Sequence, residues 1–270
     1  KAAKTSKGLA HVACWEKEKR ILIELAEKLD VVAVLEARED FYKFCQYMDG
    51  AFFTKKKWHL KLIARYLGEL AMGNIKMVLC SLPPRAGKSY ITSLFHAWII
   101  GKFPEDSSMR NSYAAELAEK FSYDIRAMIQ KERYLKVFPD VKLKPDRAAV
   151  GDWAITSARD SSYFCAGVGG SILGKGARKV ATLDDPLKGI QEALSENVLN
   201  GVWNWYMANH MSRLEGGCVE LHVATRWSKR DPIGRITEGK EFKVERERPM
   251  SPVALPCRRS WSGAPPSQRR

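Results

Sequence analysis

The chain has 270 residues, with 45 Lys and Arg against 31 Asp and Glu and a formal net charge of +14. That length carries one sizeable α/β core, or one core with a small N-terminal subdomain, and the charge suits a polyanionic partner as well as a lysine-rich solvated surface. The six cysteines are widely separated with no C-x-x-C pair or zinc spacing, and no apolar run approaches the roughly 18 residues of a spanning helix, which argues against a disulfide scaffold, a zinc module and a helical membrane protein.

In chain order, Trp15 to Leu29 carries Ile21, Leu22, Leu25 and Leu29 at helical spacing and reads as an amphipathic helix packed against the body. Glu39 to Met48 and Trp58 to Met72 read as further helices, the second stopped at Gly73-Asn74, with Lys55-Lys56-Lys57 a solvated loop between them. Lys76 to Leu82 reads as a strand, followed by a helix from Lys88 through Ile99 that stops at Gly101. A helix over Glu116 to Lys131 precedes a strand-and-turn region over Lys142 to Tyr163. Lys179 to Leu187, KVATLDDPL, is a short apolar strand ended by two carboxylates and a proline. Gln191 to Leu214 reads as one long helix whose Trp203, Trp205 and Tyr206 serve either as core or as base-stacking groups. Val219 to Thr225 is the next strand, and no internal repeat is evident. Residues 248–270 hold five Pro, five Arg and no acid, which reads as linker or disordered tail and leaves +9 of the +14 on residues 1–247. Strands alternating with helices predict an α/β fold with a central, mostly parallel sheet flanked by helices and a site at the strands' C-terminal ends. The N-terminus lacks the apolar core of a signal peptide and opens on Lys1 instead of Met, so a reducing, cytosolic setting and a trimmed start are expected.

The chemistry concentrates in Ile75 to Ser89, IKMVLCSLPPRAGKS, where a strand breaks into a Pro- and Gly-bearing loop ending in Gly87-Lys88-Ser89. A loop of this kind puts phosphates at a helix N-terminus, where free amides and the macrodipole favour an anion. Gly87 lets the backbone approach, Lys88 reaches the β- and γ-phosphates, and the Ser89 hydroxyl ligates Mg²⁺, so ATP and Mg²⁺ are the expected cofactors. The loop departs from G-x-x-x-x-G-K-[ST]: Leu82 stands at the first Gly, and Pro83 and Pro84 lack an N–H, which leaves anion contacts to the amides of Arg85, Ala86, Gly87, Lys88 and Ser89. The segment counted as cofactor-binding runs from Pro84 to Tyr90, and Arg85 adds a guanidinium within it. Asp184 is the candidate metal carboxylate and Asp185 the candidate that orients water, although Asp-Asp-Pro equally suits a strand end with an Asx turn. Thr225 is a candidate sensor of the γ-phosphate, or a β-branched residue closing a strand.

These motifs, in this order, resemble the ATPase domain of the large terminase subunit of tailed phages, the DNA-packaging motor. The likeness rests on Pro83 to Ser89; on Gly167 to Lys175, GVGGSILGK, leading into LDDPLK; on Ala224 to Asp231, ATRWSKRD; and on Trp58-His59 and Ser112 to Ala118, and it spans Phe41 to Ile236. It implies a P-loop NTPase of the ASCE type, in which another strand separates the Walker A and Walker B strands. It also implies hydrolysis coupled to translocation of double-stranded DNA, with a portal protein and a small terminase subunit as partners and a homo-oligomeric ring on the portal, the isolated chain being monomeric. Carried over, Lys88 and Ser89 match the phosphate and Mg²⁺ ligands, Asp184 the Walker B carboxylate, Asp185 the catalytic acid, Thr225 the coupling residue, and Trp58 and His59 the adenine site. Lys175 falls where such motors often present a trans-acting Arg, with Arg178 and Arg126 as substitutes; a Lys is a point charge without bidentate geometry. The expected organisation is an N-terminal helical lid over residues 1–50, the ATPase domain over 51–247 and a tail over 248–270, without the nuclease domain and therefore without DNA cleavage, acting in the host cytoplasm. The residues also leave open a superfamily 2 type helicase or translocase and a non-catalytic DNA-binding assembly remnant.

Overall fold

The computed structural model describes residues 2–172, 174–238 and 253–254. Helices α1 (Ala2–Glu39), α2 (Phe41–Met48) and α3 (Trp58–Ala71) precede strand β1 (Met77–Ser81), helix α4 (Lys88–Lys102), strand β2 (Ser108–Ser112) and helices α5 (Ala115–Ile129) and α6 (Glu132–Val137). Strands β3 (Leu143–Ala149), β4 (Asp152–Ile155), β5 (Tyr163–Gly167) and β6 (Val180–Asp184) follow, then α7 (Ile190–Ala193) and α8 (Glu196–Trp205). A π-helical turn over Tyr206–His210 and a 3₁₀ turn over Met211–Arg213 lead to β7 (Val219–Ala224), α9 (Pro232–Glu238) and β8 (Val253–Ala254).

The strands make one mixed sheet in the order β3-β4-β5-β2-β6-β7-β1-β8, seven strands extended beyond β1 by the two-residue β8. Pairing is parallel from β5 through β2, β6, β7 and β1, and antiparallel only where β4 joins β3 and β5. β6 and β7 are buried along their whole length, as expected of parallel strands covered on both faces. The two faces carry separate cores. Val78, Cys80, Val180, Val219, Leu221 and Val223 pack with Ile91, Phe95 and Trp98 of α4. Leu79, Met109, Ala181 and Leu183 pack on the other face with Trp203, Trp205, Tyr206 and the α9 residues Ile233 and Ile236. α4 is buried nearly all round, its polar Lys88, Thr92, Ser93 and His96 included, because it lies between the sheet and the α2–α3 layer.

The expected α/β class and mostly parallel sheet are present, and the helices expected at 58–72, 88–101 and 116–131 and the strands at 76–82 and 219–225 agree with the observed ones within two residues. Two expectations are corrected. The helix over 191–214 is broken: Ser195 accepts from the Val198 N–H and caps α8, and the continuation is π-helical. The helix over 15–29 belongs to the much longer α1 and leaves Ile21, Leu25 and Leu29 48%, 51% and 68% exposed. Its far end joins the body, where the Ala37 carbonyl accepts from Trp98 Nε1 at 3.0 Å. Trp203 and Trp205 are core residues. The expected tail over 248–270 lies outside the described residues except for Val253–Ala254, which pair with Val78 and Leu79. No described helix is long and apolar enough to cross a membrane.

Candidate active site

β1 delivers the chain into the loop Leu82 to Gly87, and α4 begins at Lys88. Gly87 has φ 87°, and a Cβ there would sit 3.0 Å from Phe52 Cζ. Glycine is therefore required by the handedness of the turn and by the ring beside it, independently of any ligand. Arg85 is exposed and also left-handed, with φ 63°. Such backbone costs on the order of 1–3 kcal/mol and collects at functional sites. The loop is tied to the helices before β1: His59 Nε2 donates to the Ala86 carbonyl at 3.1 Å, and the Tyr90 hydroxyl donates to Asp49 Oδ2 at 3.1 Å. Burial and then the Asp49 carboxylate push the Tyr90 phenol well up, so it stays a donor.

Three of the expected residues converge beyond the C-terminal ends of adjacent strands. Lys88 Nζ lies 2.9 Å from Asp185 Oδ2 and also donates to the Thr225 hydroxyl. Asp185 Oδ1 accepts from the Thr225 N–H at 2.8 Å, and the Asp185 N–H donates to Val223 O at 2.8 Å. Asp185 has φ 43°, a conformation that Asp tolerates better than most residues. The turn aims its carboxylate back across β7 at Lys88. Lys88 is buried and Asp185 half-buried, and a partly shielded ion pair at the start of a 15-residue helix is a setting in which an incoming anion competes directly for the ammonium.

Asp184, one residue earlier, points to the α4 face and is fully buried. Its Oδ2 accepts from Arg110 Nε at 3.1 Å and from Arg110 Nη2. Its Oδ1 is buried without a partner. Burial pushes its carboxyl up, against the opposing pull of Arg110. Arg110, in the middle of β2 and itself fully buried, is the site residue that sequence reasoning missed. Nothing in its local sequence signals the role, because its acidic partner lies 74 positions further on. Among the described residues no three His, Cys, Asp or Glu converge as a metal cage. A Mg²⁺ held with a nucleotide needs none, since one or two carboxylates, a hydroxyl and phosphate oxygens suffice. The unpartnered, buried Asp184 oxygen fits that requirement.

Other expected residues stand apart. Trp58 is 69% exposed and lines a groove of about 780 Å³ with Tyr42, Lys61, Arg65 and Trp98 that includes no residue of the loop. Of the Trp58-His59 pair, the histidine contacts the loop. Lys175 is paired with Asp152 at 3.0 Å beside the first residues of β5, away from Lys88. Arg178 faces Asp160 at 3.8 Å, and Arg126 Nε is buried without a partner. No protein-family model matches the chain, and no curated protein matches its sequence.

Proposed function

We propose that this chain is the ATP-hydrolysing motor domain of a DNA-packaging large terminase, a P-loop NTPase that couples hydrolysis to movement of double-stranded DNA into a procapsid. The observation that carries the nucleotide part is the meeting of Lys88, Asp185 and Thr225 at the ends of three neighbouring strands, with 2.9 Å between the ammonium and the carboxylate. The strand order supports it too: one strand, β7, separates β1 from β6, as the ASCE arrangement requires. The terminase part rests on the ordered motifs around Pro83 to Ser89, Gly167 to Lys188 and Ala224 to Asp231.

In this reading Lys88 leaves Asp185 for the β- and γ-phosphates, which cradle against the amides from Arg85 to Ser89. The exchange frees Asp185 to orient the attacking water, and Thr225, bonded to both partners in the paired state, registers the change at the tip of β7. Asp184 and the Ser89 hydroxyl would hold Mg²⁺, which supplies charge neutralisation on the transferred phosphoryl group. His59, bonded to the Ala86 carbonyl, stands on the base side in place of the pair, and portal protein, small terminase subunit and double-stranded DNA are the partners. The test is Mg²⁺-dependent ATP hydrolysis by the wild type, Lys88→Ala and Asp185→Ala. Both variants lose about 10²-fold or more in turnover; Lys88→Ala also loses nucleotide affinity, whereas Asp185→Ala keeps it. Wild-type turnover in either variant would refute the assignment.

A further inference from the structure

Arg110 donates two hydrogen bonds to a single oxygen of Asp184, from Nε at 3.1 Å and from Nη2. An arginine facing a carboxylate ordinarily spreads two donors over both oxygens. Here the fork closes on Oδ2, and Oδ1 is left buried and unpartnered. The rest of the guanidinium is fixed as well: Nη1 donates to Ser93 Oγ at 2.8 Å, Nη2 reaches the Ser89 carbonyl at 3.3 Å, and Cζ lies 3.8 Å from the Phe121 ring centroid. One side chain thus ties the backbone of Ser89 and the carboxylate of Asp184 into a single rigid unit across the α4–sheet interface. Both charged groups have no exposed surface, so neither turns to water for an alternative partner.

We propose that Arg110 is a positioning residue for a divalent cation: it clamps Asp184 in the rotamer that keeps Oδ1 available and holds that oxygen at a set distance from Ser89. The inference rests on the nucleotide-site reading above. A lysine at 110 would keep the positive charge but not the fork, leaving the carboxylate free to swing and to bring either oxygen to the ammonium. Ser93→Ala would remove one of the guanidinium's own anchors while leaving the ion pair in place. Groups that orient a metal ligand from behind typically change metal affinity 10- to 100-fold when altered.

The experiment titrates Mg²⁺ into a fluorescent ATP analogue bound to the wild type, Arg110→Lys and Ser93→Ala, with thermal unfolding run in parallel. Arg110→Lys is expected to raise the Mg²⁺ midpoint about 10-fold or more while the affinity for metal-free nucleotide stays the same, and Ser93→Ala is expected to shift the midpoint less in the same direction. A merely structural arginine would lower the melting temperature and leave the midpoint alone; that result overturns the proposal. If Arg110→Lys does not fold, an unshifted midpoint in Ser93→Ala overturns it equally. Wild-type nucleotide binding that ignores Mg²⁺, or no binding at all, removes the nucleotide-site reading and this inference together. An Mg²⁺ dependence in the wild type that both variants share unchanged removes this inference alone.

Discussion

At residue scale the loop is governed by what stands behind it. Gly87 is pinned by its φ of 87° and by Phe52, whose ring is itself held edge-on by Phe53 and Tyr90 at centroid distances of 5.2 and 5.0 Å. A methyl at position 87 therefore meets strain from two separable sources. Gly87→Ala is expected to destabilise by on the order of 1–3 kcal/mol, read as a fall in denaturant midpoint. Phe52→Leu in the same chain should return only the steric share, because the left-handed backbone penalty stays. A double variant that recovers fully would show that the turn does not need glycine for its handedness. The residues carrying the proposed chemistry were legible from their order along the chain, each type alone being ordinary at a strand end: a Gly-Lys-Ser after one apolar run, paired acids after another, a hydroxyl after a third. Arg110 was hidden because nothing local marks a buried arginine whose partners come from β6 and α4.

At the scale of elements, continuous apolar runs made β1, β6 and β7 readable. β2, with the sequence SMRNS, was not, although all five of its residues are buried. Its polarity is spent across the sheet: Arg110 meets Asp184 on one face, and on the other Asn111 lies 3.0 Å from His210 Nδ1. That second contact opens a polar seam under the π-helical turn, where Tyr206 donates to Glu220 Oε1 at 3.0 Å and His222 Nε2 lies 3.4 Å from the same oxygen. Burial drives the His210 imidazole down from 6.5 to about 4, outweighing the pull of Glu220. Between those values the unfolded chain binds a proton at this position that the folded chain does not. Stability therefore falls as pH drops from 6.5 toward 4, by up to about 1.4 kcal/mol per unit for this one site. The lowered carboxyl of Glu220 adds to the loss at the acid end, since its contribution is present above its unfolded value and disappears as the folded value is crossed. Urea unfolding of His210→Gln between pH 4.5 and 7 should show a pH slope shallower by about one proton. An unchanged slope would mean that His210 does not enter the fold neutral.

At the scale of the whole molecule, the sheet sets which groups can reach one another. Lys175 sits beside the start of β5, and β5 is four strand positions from β1, roughly 19 Å at about 4.8 Å per strand. A lysine side chain does not cross that distance, and this one is held by Asp152 at 3.0 Å. If Lys175 assists hydrolysis, it does so at a neighbouring molecule's loop, after giving up a part-exposed ion pair that costs about 0–1 kcal/mol to break. Two consequences follow for the isolated chain. Turnover per molecule should climb with protein concentration, and more so on double-stranded DNA, where a chain of net charge +14 is gathered onto the polyanion at low salt. Lys175→Ala should lower the assembled rate by about 10²-fold, the usual effect of removing one transition-state donor. Mixing Lys175→Ala with Lys88→Ala then separates trans from cis action: each variant alone is inactive, but an intact Lys175 on the second faces an intact loop on the first, and activity returns. A total rate strictly linear in protein, together with a mixture no faster than its components, would rule out completion of the site by a neighbour and leave each molecule to work with the groups on its own strands.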